Sequence, residues 1–94
     1  MINRKEFYKK ILDIYKNKQV AVAIEELSEL QKELCKSLRG STNYDNIIEE
    51  FADVEIMLEQ MKIYFGITQN EIEEMKEIKI KRTKERLGLW QKKK

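Results

Sequence analysis

The chain contains no proline, and its three glycines, Gly40, Gly66 and Gly88, each close a run of periodic apolar residues. Proline breaks a helix interior, and glycine past a helix end accepts the left-handed backbone of a C-terminal cap. A chain punctuated in this way has few places to turn. All-β folds need turn residues every 8–12 positions or so, and these are missing. The expectation is an all-α fold, and at 94 residues a single domain spanning 1–94, with a basic tail at about 89–94.

Cap chemistry divides it into four helices, at about 3–16, 18–38, 44–65 and 69–87. Thr68-Gln69-Asn70-Glu71 reads as a capping box that opens the last, and Ser41-Thr42-Asn43 supplies caps for the third. The second helix carries Val20, Ala23, Leu27, Leu30, Leu34 and Leu38 at steps of three and four. The third carries Ile47, Phe51, Val54, Leu58, Met61 and Phe65 in the same way. Two such stripes joined by the short Arg39–Asn43 link predict an antiparallel pair. Phe7, Ile11, Ile14 and Tyr15 on the first helix, and Ile72, Met75 and Ile78 on the last, complete a small four-helix bundle with a thin core. Cys35 flanks the second stripe and is expected to be buried, Met57 to fill the core, and Trp90 to anchor on a neighbouring helix or subunit.

Several chemistries are excluded. No histidine is present, which removes His-based general bases, His-ligated zinc or iron, and the Glu-x-x-His motif of di-iron bundles. One cysteine forms no internal disulfide and no metal cluster, and suits a reducing compartment. The longest apolar run, Val20 to Ile24, is five residues, far below the roughly 20 of a membrane span. With no apolar stretch after Met1-Ile2-Asn3-Arg4-Lys5 to act as a signal peptide, the expectation is a cytoplasmic protein.

The net charge of +2 conceals a strong asymmetry. Residues 1–20 carry +4, residues 21–60 carry −7 and residues 61–94 carry +5. Within the acidic middle, Glu26 and Glu29 are three apart on the second helix, and Glu50 and Asp53 three apart on the third. Each pair shares a helix face, and Glu26 and Glu50 border the apolar stripes. Antiparallel packing can therefore converge all four on one patch. Crowded carboxylates repel and raise one another's pKa; a hard divalent cation, Mg²⁺ or Mn²⁺, removes that cost through oxygen ligands alone. The competing reading is a solvated acidic face, since glutamate is a good helix former.

The segments Val22-Ala23-Ile24-Glu25-Glu26-Leu27-Ser28-Glu29-Leu30 and Asn46-Ile47-Ile48-Glu49-Glu50-Phe51-Ala52-Asp53-Val54 resemble the paired signatures of the MazG-like all-α nucleoside triphosphate pyrophosphohydrolases. That pattern is Glu-x-x-Glu, a variable spacer (here residues 30–49), then Glu-x-x-Asp. The resemblance extends from about Gln19 to Leu87. It implies a Mg²⁺-dependent enzyme that splits nucleoside triphosphates, often deoxynucleotides, into monophosphate and pyrophosphate. It also implies Glu26, Glu29, Glu50 and Asp53 as catalytic metal ligands, with Glu25 and Glu49 orienting the site or lying outside it, and a homodimer or homotetramer of helical subunits.

The triphosphate needs cations. Lys79, Arg82 and Arg86 share one face of the last helix and are the candidates, against the plain reading of a solvated basic face at a helix C-terminus. The family tends to carry a Lys-Asn pair in this region, and Lys79-Ile80-Lys81-Arg82-Thr83 has no asparagine. Gln19 and Tyr15 are candidate base contacts or, equally, cap and core residues. Two other classes compete: a non-catalytic helical interaction protein on the same scaffold, and a nucleic-acid binder through the basic ends, which the −7 middle disfavours.

Overall fold

The computed structural model describes residues 1–88, so Trp90 and the basic tail lie outside the described residues. Four helices follow in order, α1 (Arg4–Tyr15), α2 (Lys18–Leu38), α3 (Tyr44–Phe65) and α4 (Gln69–Arg86), with no strand among the described residues. The fold is a small all-α bundle.

Local chemistry accounts for the boundaries. The Asn3 side chain accepts the Glu6 amide at 2.8 Å and opens α1; Asn43 does the same for the Asn46 amide at 3.1 Å and opens α3. Thr68 and Glu71 cap one another reciprocally at the start of α4. Gly66 takes φ +69°, which frees the Ile67 amide to donate back to the Lys62 carbonyl at 2.8 Å and stops α3. Between α1 and α2 there is no loop to speak of. Lys16 alone adopts a positive φ, +52°, and α2 starts at Lys18 without a side-chain cap bond.

α2 and α3 form the packed body as an antiparallel hairpin, with α1 laid behind α3, near Ala52 and Ile56. Tyr8, buried on α1, donates its phenol to Glu59 of α3. The buried side chains are few: Tyr8, Ala23, Val54 and Met57, together with the polar Gln19, Glu33 and Gln60.

The seam differs from the expected one. Gln19, Ala23, Glu26, Leu30 and Glu33 of α2 meet Ile47, Glu50, Val54, Met57 and Met61 of α3, all buried or half-buried. Leu27, Leu34, Leu38, Phe51, Leu58 and Phe65, expected inside, are exposed. The contact line is rotated by about one position around each helix, toward the acids. The periodic stripes are wider than one helix–helix seam needs, so packing selects only one margin of them. Cys35, expected buried, is exposed for the same reason.

Among the described residues α4 does not pack along any of the other three helices; its first turn is tied to α3 by the Lys62 ammonium, which donates to the Gln69 side chain at 2.7 Å. Met75 and Ile78, expected to join the core, are exposed, and Ile72 alone is half-covered. The radius of gyration is 17.5 Å, against about 12 Å for a compact domain of this length. α4 projects from the body as an arm.

Candidate metal centre

The register of the hairpin assembles the site. Gln19 on α2 donates its amide to the Gln60 side chain of α3 at 2.9 Å, both groups being buried. Seven residues further along α2 and seven back along α3, the same register sets Glu26 against Asp53. Glu50, one turn before Asp53, faces the same point. One carboxylate oxygen each from Glu26, Glu50 and Asp53 lies within 4.8 Å of the others. Glu26 and Glu50 are half-buried and Asp53 is exposed, so the group is open on one side.

Its electrostatics are those of crowded acids. Glu26 holds its proton more tightly than a free carboxyl, first because it is partly desolvated, then through a side-chain hydrogen bond with Asp53, then through the charges of Asp53, Glu50 and Glu29. Glu50 shifts upward for similar reasons: desolvation first, then the charges of Asp53, Glu29, Glu33 and Glu49. Its Oε2 is buried without a hydrogen-bond partner. Leaving a buried carboxylate oxygen unpaired is costly, and a group of three carboxylates, one of them Glu50 with this unpaired oxygen, fits a hard divalent cation.

The expected residues divide accordingly. Glu26, Glu50 and Asp53 come together. Glu29 is exposed and outside the close group, acting on it through charge alone. Gln19 is engaged with Gln60 inside the seam, which favours its core reading over base contact. Lys79, Arg82 and Arg86 lie on α4, away from the packed body, so one chain does not bring them to the carboxylates. Glu33 escaped the sequence reading. It is buried in the seam with one oxygen paired to Lys36 at 3.2 Å and the other unpartnered. Its position seven residues after Glu26 was the available signal, since that spacing returns to the same face.

Comparison with protein-family models, with curated proteins and with solved structures finds no match. No helix among the described residues is long and apolar enough to cross a membrane.

Proposed function

We propose that the chain is a metal-dependent nucleoside triphosphate pyrophosphohydrolase, acting on ribo- or deoxynucleotides in house-cleaning of the nucleotide pool. The observation that carries this reading is the convergence of Glu26, Glu50 and Asp53 from two helices on a point where their oxygens lie within 4.8 Å. The paired acidic motifs that resemble the MazG-like enzymes contribute those three residues. Glu26 and Glu50 would grip the ion from the half-buried side and Asp53 from the solvent side, with Glu29 adding negative charge at the rim. Mg²⁺ or Mn²⁺ held there would neutralise the carboxylates and polarise phosphate oxygens and water. The open side of the group leaves space for a triphosphate, while the Gln19–Gln60 bond fixes the separation of the helices beneath it. Lys79, Arg82 and Arg86 would serve the phosphates only in an assembly that carries α4 to a carboxylate group, consistent with a homodimer or homotetramer.

The extent of exposed apolar side chains favours one alternative, a non-catalytic helical interaction protein. Pyrophosphate release from the common NTPs and dNTPs, with Mg²⁺, Mn²⁺ or EDTA, separates the two. The hydrolase reading expects metal-dependent pyrophosphate, abolished in Glu50→Gln, and a rise in melting temperature with Mg²⁺ that Glu50→Gln also lacks. Absence of both effects in the natural sequence would refute it.

A further inference from the structure

The charges of α4 are segregated along its axis. Residues 69–77 carry four carboxylates against one lysine, a net −3. Residues 78–88 carry Lys79, Lys81, Arg82, Lys84 and Arg86 against Glu85 alone, a net +4. The preference for cations at a helix C-terminus accounts for Lys84 and Arg86 in the last turn. It does not account for Lys79, Lys81 and Arg82, which lie further in. Every residue from 73 to 88 is exposed, so all five cations meet solvent.

Around the axis these cations fall on two flanks. At about 100° per residue, Thr83, Leu87 and Ile80 share a strip about 60° wide. Measured from Leu87, Lys79 and Arg86 lie about 80–100° to one side, with Arg82 beyond them; Lys84 and Lys81 lie about 60° and 120° to the other. Glu85 is almost opposite, at about 160°. We propose that this half of α4 lies in the major groove of a nucleic-acid duplex, held by phosphates on both sides and without regard to base sequence. That groove is about 12 Å wide and admits one α-helix, and charged phosphates border it on either hand. A flat anionic membrane or a single triphosphate meets a helix from one side only, and so matches one flank at a time. Ile80, Thr83 and Leu87, which would face the bases, offer methyl groups and one hydroxyl and discriminate little between base pairs.

The rest of the fold leaves room for the approach. The −7 of residues 21–60, which counts against nucleic acid for the chain as a whole, sits on α2 and α3. Beyond its first turn α4 stands clear of that body. The molecule is 56 Å in its longest dimension, whereas a helix the length of α3 rises only about 33 Å. Lys79 lies ten residues past Gln69, about 15 Å of helix rise, and charges are screened over about 8 Å at physiological salt. The acidic body therefore repels a duplex at the end of α4 only weakly. Binding there does not depend on whether the carboxylates hold a cation.

Fluorescence anisotropy of a labelled duplex of arbitrary sequence tests it, with the full chain in EDTA so that no metal bridges the two. The expected dissociation constant is about 10⁻⁴–10⁻⁶ M at physiological salt, rising with salt at a logarithmic slope of about 4–5 when five cations each displace a counterion. Lys84→Gln, on the flank that a triphosphate held by Lys79, Arg82 and Arg86 would not touch, should weaken binding severalfold and lower that slope by about 1. Glu85→Gln changes the net charge by the same amount on the averted side, and should leave the slope unaltered. Helical circular dichroism shows that α4 persists in both variants. Absence of binding at about 50 mM salt, where phosphate contacts are strongest, would overturn the groove reading. So would a natural slope in Lys84→Gln, equal affinity for a single strand of the same length, or tighter binding to vesicles of phosphatidylserine and phosphatidylcholine.

Discussion

Gln19 and Gln60 are the sharpest point at which to probe how the hairpin is held. Gln60 is 3% exposed and Gln19 8%, and they share one hydrogen bond of 2.9 Å inside an otherwise apolar stretch of seam. Gln60→Leu keeps the volume close to native but removes the acceptor, leaving the Gln19 amide buried without a partner. A stranded buried polar group costs about 1–3 kcal/mol. At about 4–8 °C per kcal/mol for a domain of this size, a loss of about 2 kcal/mol lowers the melting temperature by roughly 8–16 °C. Gln19→Leu strands the other partner and should cost a similar amount. The double variant exchanges a polar contact for an apolar one and should lie near the natural stability, so the two effects cancel rather than add. Thermal unfolding by circular dichroism, at one fixed protein concentration because association shifts the midpoint, measures all four proteins. Two singles within about 0.5 kcal/mol of the natural chain, the range of ordinary surface changes, would show that the bond does not hold the seam. A double variant with the sum of the single losses would show that the two residues act separately.

The raised proton affinities of Glu26 and Glu50 predict the pH response of the metal-free chain. Because the folded state binds protons above the unfolded value of 4.5, stability should increase as pH falls from neutral toward that value, and Glu26→Gln or Glu50→Gln should flatten the increase. Below 4.5 that increase levels off, while Glu71 and Glu73, held below the usual carboxylate range by hydrogen bonds to Thr68 and to Gln69 and Lys76, lose those bonds on protonation and loosen α4 alone; urea unfolding across pH reads the first limb and amide exchange within residues 69–86 the second. Thr68→Ala removes one half of the capping box and costs α4 about 1 kcal/mol. Because α4 packs along no other helix, the loss should appear as faster amide exchange within residues 69–86, with the midpoint of global unfolding unchanged.

What the sequence conveys here follows the range of the interactions involved. Asn3, Asn43, Gly66 and the Thr68–Glu71 box act within three or four residues, so the helix limits were readable to within a residue. The choice of buried face was not. A helix that displays Ala23, Leu27, Leu30 and Leu34 can seat either margin of that stripe in a seam, and only the neighbouring helix selects between them. The selection went to the margin that carries Gln19, Glu26 and Glu33, three residues that hydropathy alone would place in solvent. Glu26, Glu50 and Asp53 were legible as a converging group because they border that seam. Glu29, on the far edge of its helix, satisfied the motif without joining the group. The cations of α4 lay beyond reach of any pattern, since their position depends on where a whole helix swings about the Phe65–Gln69 elbow.

The hairpin register has a kinetic consequence. The contacts that bring Glu26 to Asp53 join neighbouring helices through a five-residue link, whereas the Tyr8–Glu59 bond that fastens α1 spans 51 residues. Short-range helical pairings are the quickest tertiary contacts to form, so the carboxylates are brought together early, before α1 closes over the back of α3. Their mutual repulsion then opposes the first step of folding rather than the last. A cation present during folding would act on the rate at which the chain collapses as well as on the state it reaches.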